Sequence, residues 1–171
     1  MQFTDVLKSR RSIRAFTGQQ VEPEKLRLIL EAAGCAPSAG NLQAHEIYVI
    51  TDRRQRLALV QAALGQDFLA SAPVVLAFCT NPARNVGRYG DRGQRLYSLQ
   101  DATIACTYAM LAATDLGLAT VWVGAFNDDA VIRALSLPQG IHPVAMLPIG
   151  YAAEHPEATP RRPLYDLVHN L

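Results

Sequence analysis

Cysteine is scarce. Cys35, Cys79 and Cys106 are odd in number, far apart and never in a C-x-x-C pair, which argues against a disulfide framework and against a cysteine-rich metal site. All three read as reduced residues of the core, where free cysteine usually lies. His45, His142, His155 and His169 form no H-E-x-x-H or similar set, so a metal has no ligands to bind. No run of about 18 apolar residues occurs, which excludes a membrane-spanning helix. The opening "MQFTDVLKSRR" lacks the apolar core and cleavage site of a signal peptide, so a cytoplasmic location is expected. An excess of one charge is missing as well: 16 basic residues stand against 15 acidic ones, a formal net charge of +1. Spread along the chain, they give no footprint for nucleic acid or a membrane surface. There are no repeats and no low-complexity tracts.

What is present is a chain of 171 residues, half of them hydrophobic and 18% charged. That length predicts one domain, 1–171, burying roughly two thirds of its unfolded surface. The apolar excess hints at an oligomer interface. "FTDVLKSRRS" predicts a short helix with Thr4 as cap and Phe3, Val6 and Leu7 on one face. "EPEKLRLILEAAGCAPS" predicts a second, with Pro23 at its start, Leu26, Ile29, Leu30 and Ala33 at helical spacing, and Gly34 and Pro37 ending it. Strands are predicted at "EIYVIT", "APVVLAFCT", "ATVWVGAF" and "HPVAMLPIGY", and helices at "DRRQRLALVQAAL", capped by Asp52, and "DDAVIRALSL". "NPARNVGRYGDRG" reads as a loop. "YSLQDATIACTYAMLAATDLGL" is a long helix, apolar on nearly its whole circumference and closed by Gly117, and so expected to be buried, in part by a partner subunit. Irregular alternation of strands and helices gives an α+β or α/β class with a sheet flanked by helices.

Three segments could carry chemistry. In "RRSIRAF", Arg10, Arg11 and Arg14 repel one another unless an anion sits among them, and a phosphate monoester is the commonest such anion; Ser12 adds a hydroxyl. The alternative is a solvated basic turn. "APSAGNLQ" offers Ser38, Asn41 and Gln43 beside small Ala39 and Gly40, suited to a polyol or the edge of a heterocycle, or else a turn whose polar side chains satisfy its own backbone. Ser38 is no nucleophile elbow, since G-x-S-x-G chemistry needs a strand before the serine and a helix after it, the reverse of the order here. "GLATVWVGAF" lacks G-x-G-x-x-G after a first strand, so a dinucleotide loop is a weak reading. The other reading is a strand end whose amides at Val123, Gly124 and Ala125 face a flat ligand, with Trp122 more often core than a stacking platform. Arg161 and Arg162 are either a charged tail or a second wall of the Arg10 site.

"RRSIRAF", "APSAGNLQ", "SLQDA" leading into "GLATVWVGAF", and a final "PIGY" followed by "PRRPL" occur in that order over essentially the full chain. In this combination the sequence resembles the nitroreductase family of FMN enzymes, as a short member. The resemblance implies an α+β fold with a mixed central sheet flanked by helices, in an intertwined homodimer holding FMN at the subunit interface. It assigns Arg10, Arg11, Ser12 and Arg14 to the phosphate and ribityl oxygens. It assigns Pro37, Ser38, Ala39, Asn41 and Gln43, from the other subunit, to the isoalloxazine and ribityl chain. Trp122, Val123, Gly124 and Ala125 fall at the turn that donates an amide to flavin N5, Gln66 near a flavin-contacting amide, and Arg161 and Arg162 at a basic pair near the phosphate. NADH or NADPH is the implied hydride donor and a flat nitroaromatic, quinone or enone the acceptor, in ping-pong order, with no obligatory side-chain acid or base. A dehalogenating or flavin-fragmenting enzyme of the same fold, and a low-turnover flavin binder, are the alternatives. Two departures stand out. Many members read Q-P-W where this chain has Gln43, Ala44 and His45, and "NVGRYGDRG" is the one obvious candidate for a lid over the flavin. Arg88, Arg92 and Arg95 lie there, either solvated or able to meet a 2′-phosphate.

Overall fold

The computed structural model describes residues 2–171. In chain order its main elements are α1 (Phe3–Ser9), α2 (Pro23–Gly34), β1 (His45–Ile50), α3 (Arg53–Ala62), α4 (Phe68–Ser71), β2 (Val74–Thr80), α5 (Val86–Arg92), α6 (Ser98–Asp115), β3 (Ala119–Thr120), α7 (Asp128–Leu135) and β4 (His142–Gly150). The strands form one α+β sheet in the order β1-β2-β4-β3, with every named pair antiparallel. Its parallel contribution is a single bridge, Ser12 to Thr120.

Central β2 is buried at every position, which is why "VVLAFCT" is apolar without alternation: helices cover both faces. Val74, Leu76 and Phe78 pack with Ile29 and Ala33 of α2 and with Ala105, Cys106, Ala109 and Ala113 of α6. Val75 and Ala77 turn the other way, toward Leu59 of α3, Leu69 of α4 and Val131 of α7. Each fully buried aliphatic side chain contributes about 1.5–3 kcal/mol. Small residues along the inner stripe of α6 let its backbone lie close to the sheet. Its outer face is not covered within the chain, since Leu99 and Tyr108 are exposed; the chain itself buries only the inner stripe.

The helix ends follow local chemistry. The Asp52 carboxylate accepts from Gln55 N–H at 3.0 Å, as the sequence predicts. Asn127 does the same for Ala130 N–H at 2.8 Å. Gly117, at φ +75°, closes α6, with Leu118 N–H donating to Ala113 carbonyl at 2.8 Å, a Schellman arrangement. Thr4 is not a cap: it lies inside α1, where Gln2 takes the flanking position.

Two further expectations are corrected. Of the expected loop 81–93, residues 86–93 are helical: α5 is broken at Gly90 (φ 54°, ψ −141°), and Gly93–Tyr97 continues as a π-helical turn into α6. Three glycines lower the helix propensity of this segment, but packing overrides it. At Gly93 a Cβ would lie 2.8 Å from Tyr89 Cβ and 3.0 Å from the Asn85 carbonyl. The predicted strand "ATVWVGAF" contracts to two residues plus an isolated bridge from Val123 to Met146.

Among the described residues no helix is long and apolar enough to cross a membrane, and no group of histidine, cysteine and acidic side chains could hold a metal. Cys79 and Cys106 lie in the core, where burial pushes the Cys79 thiol up to about 12 and that of Cys106 higher. Cys35 is the exception to the buried-core reading, because it caps the exposed C-terminal end of α2. A thiol reagent added to native protein is therefore expected to modify one cysteine per chain at once and the other two only in denaturant. Rapid reaction of all three in the native state would contradict this packing.

Candidate functional site

The first segment is held along the sheet by its backbone and its apolar side chains. Ile13 N–H donates to the Thr120 carbonyl at 3.0 Å, Ala153 N–H to Ala15 at 2.9 Å and Thr17 N–H to Tyr151 at 2.9 Å. Ile13 and Phe16 are buried, while the Glu154 carboxylate accepts from Arg14 N–H. These anchors turn the intervening polar side chains outward. A cavity of about 600 Å³ results, lined by Lys8, Arg10, Arg11, Ser12, Arg14 and Arg161 together with residues 156–159 of the tail, which bring one acidic residue, Glu157.

Positive charge is concentrated there and partly desolvated. Burial first, then the neighbouring Arg161 and Arg11 guanidiniums, pull Arg10 below the usual arginine range. Arg11 is tied to the Lys8 carbonyl at 2.6 Å and Arg161 to Thr159 Oγ1 at 2.6 Å. The side chains of Arg10, Ser12 and Arg14 have no hydrogen-bond or ion-pair partner among the described residues. Arg162 lies outside this cavity, exposed, with Nη2 donating to the Asp166 carbonyl at 2.5 Å.

The second segment is a tight single turn. Gly40, Asn41 and Gln43 have φ of 58°, 57° and 50°, and the two that are not glycine cost about 1 kcal/mol or more each. A buried carboxylate offsets this. Asp101, on α6 and 2% exposed, accepts from Ala39 N–H at 3.0 Å and from Ala44 N–H at 3.1 Å, while Ser38 Oγ accepts from Gln43 N–H at 3.0 Å. The departure at Ala44 has a physical correlate, since proline there has no N–H for Asp101. Asp101 was given no role by the sequence reading; its signal was an acid in the first turn of a helix whose later turns are largely apolar. His45 follows, half-buried with Nδ1 enclosed and unpartnered. Burial lowers its pKa, assisted by Arg84 and opposed by Asp101 and Glu46. Pro37, Ser38 and Ala39 line a second cavity of about 560 Å³, with Tyr97, Gln100 and Ile104 across from them. Asn41 and Gln43 are exposed beside it.

The third segment is the turn after Val123. Val123 and Met146 exchange both backbone hydrogen bonds at 2.9 Å, which fixes where the strand leaves the sheet. Gly124 and Ala125 are exposed, and their N–H groups have no partner among the described residues. Gln66 Nε2 donates to the Ala63 and Ala125 carbonyls, each at 2.9 Å, pinning the turn. Trp122 is half-buried against the core, with Nε1 close over Gly124.

Within one chain these pieces do not converge: the arginine cavity and the Pro37–Ala39 cavity share no residue, and the Gly124 turn lines neither. Each presents unsatisfied donors outward. Partnerless guanidiniums and a hydroxyl in one cavity suit a phosphate, and free amides at a turn suit the edge of a flat heterocycle, so the residues fit FMN.

The nitroreductase family model matches residues 7–66 and 55–151. The chain belongs to the nitroreductase family. An oxygen-insensitive NADPH nitroreductase of Salmonella typhimurium is 33% identical over 96% of this chain and 72% of its own length. An FMN reductase [NAD(P)H] of Bacillus subtilis is 34% identical over 96% and 73%. The structure of a Vibrio harveyi NADPH:FMN oxidoreductase complexed with NAD+ superposes with a TM-score of 0.91 at 28% identity, covering 98% of this chain and 76% of that one.

In this nitroreductase-family chain the Asp101 clamp generates a direct test. Asp101→Asn turns one acceptor into a donor facing an N–H group, and is expected to lower the unfolding free energy by about 1–3 kcal/mol in a denaturant titration. An unchanged midpoint would mean that the 38–44 turn holds its shape without the carboxylate.

Proposed function

We propose that this protein, an FMN-dependent NAD(P)H oxidoreductase of the nitroreductase family, reduces flat electrophiles such as nitroaromatics and quinones as a homodimer. The observation that carries the reading is the cavity in which Arg10 and Arg14, with Ser12, lack any partner beside Arg11 and Arg161. One domain, 1–171, supplies each half-site. Because the arginine cavity and the Pro37–Ala39 cavity are separate in one chain, a complete site draws the first from one subunit and the second from its partner.

Bound FMN supplies a hydride acceptor and donor. The chain supplies position and electrostatics. Arg10, Arg11 and Arg161 neutralise the phosphate, and Ser12 adds a hydroxyl donor. Arg14, exposed and uncommitted, provides positive charge that favours an electron-rich ring system. The N–H groups of Gly124 and Ala125 offer fixed donors, held by Gln66 and the Val123–Met146 pair, with no reorganisation required of them. Ser38, Asn41 and Gln43 offer both donors and acceptors along the other edge. The three unpaired thiols accord with a cytoplasmic location.

A single site used in turn by donor and acceptor implies alternating half-reactions. Initial rates measured against NADPH, and again against NADH, at several fixed concentrations of a benzoquinone or a nitrofuran are expected to give parallel double-reciprocal lines. Intersecting lines would require both substrates on the enzyme together and would contradict the shared site.

A further inference from the structure

The segment from 84 to 95 carries four arginines, and the structure commits three of them. Arg84 Nε donates to the Leu42 carbonyl at 2.9 Å. Arg92 Nε donates to Tyr97 Oη at 3.0 Å and its guanidinium lies 5.5 Å from that ring. Arg95 is paired with Asp91 at 2.8 Å. Only the Arg88 side chain has neither a hydrogen bond nor an ion pair among the described residues.

Arg88 is nevertheless held in place. Its guanidinium lies 5.4 Å from the Tyr89 ring, and Tyr89 packs edge-on against Tyr97 with centroids 5.1 Å apart. Both residues close over Gly40: a Cβ there would meet Tyr89 Oη and would lie 3.1 Å from Arg88 Nη1. The charge therefore sits directly on the turn that borders the Pro37–Ala39 cavity, and Tyr97 lines that same cavity. A cation stacked on an aromatic ring loses less freedom on binding an anion than a free one does. The cluster around Arg10 serves a different cavity, with which this one shares no residue.

We propose that Arg88 is a contact for the phosphates of the pyridine nucleotide, which rests on the oxidoreductase reading above. NADH and NADPH both carry a diphosphate, and NADPH adds a 2′-phosphate; each presents a pair of anionic oxygens that the planar guanidinium can recognise with two parallel hydrogen bonds. Arg88 is exposed, so its replacement removes charge without opening the core.

The test compares FMN-loaded wild type with Arg88→Gln and Arg88→Lys, measuring the dissociation constants of NADP+ and NAD+ by calorimetry and the flavin content by absorbance. Arg88→Gln is expected to weaken NADP+ at least about tenfold, the loss of one charge-assisted contact, with flavin content at the wild-type level. Arg88→Lys recovers part of the affinity, since it keeps the charge but not the planar fork. A loss confined to NADP+ assigns the contact to the 2′-phosphate, and an equal loss for NAD+ assigns it to the diphosphate. Unchanged affinity for both nucleotides overturns the proposal, as does loss of flavin from Arg88→Gln, which makes the residue a flavin ligand instead. Wild-type protein that takes up no FMN is a different failure: it removes the oxidoreductase reading and this proposal with it.

Discussion

Repulsion among like charges is the constraint on which the site depends. Arg10, Arg11 and Arg161 come close enough that each of the other two depresses the pKa of Arg10, on top of its burial. Isolated in water such a cluster would spread apart. Here the stretch that carries Arg10 and Arg11 is held, because Ile13 and Phe16 are buried and the backbone beyond it is bonded to Thr120, Tyr151 and the 153 position. Hydrophobic burial thus stabilises an arrangement that electrostatics opposes. A dianionic phosphate relieves the opposition, so occupancy of the cavity and stability of the fold are linked.

The opposite charge does the corresponding work at the second segment. One buried carboxylate, Asp101, bonds the two ends of a turn in which Gly40, Asn41 and Gln43 all take left-handed backbone. Because Asp101 sits near the start of α6, and α6 packs by its small residues onto the sheet, the turn is fixed relative to the core and not merely to its neighbours. The segment after β2 and the turn are joined as well. Arg84 reaches back to Leu42, and Tyr89 and Arg88 cover Gly40, so the helical 86–97 segment and the 38–44 turn form one surface.

Much of the fold was legible in the sequence, for identifiable reasons. The unbroken apolar run of β2 announced a buried strand, and Asp52 and Gly117 marked helix ends by their own chemistry, whereas the anchoring of the arginine segment by buried Ile13 and Phe16 emerges only from the structure. The 86–97 helix was hidden by its glycines, whose small size is used for packing at Gly93 and for a break at Gly90, neither of which periodicity records. The strand at "ATVWVGAF" was overestimated because β-branched residues there serve the core on either side of a turn. Of the candidate site residues, those with charge or donors in a short motif were visible. Asp101 was not singled out, since its partners are backbone amides about 60 positions away, and the difference between Arg161 and Arg162 is a matter of which one the tail turns inward.

The central claim is that the arginine cavity binds the phosphate of a flavin nucleotide. It is tested most directly by the affinities of FMN and riboflavin, which differ only in that phosphate, for apoprotein and for Arg10→Ala. The account predicts that wild type prefers FMN by about two orders of magnitude, the worth of one or two charge-assisted contacts, and that Arg10→Ala loses most of that preference while binding riboflavin as before. Equal affinity of the wild type for the two flavins, or a preference untouched by the substitution, would contradict it.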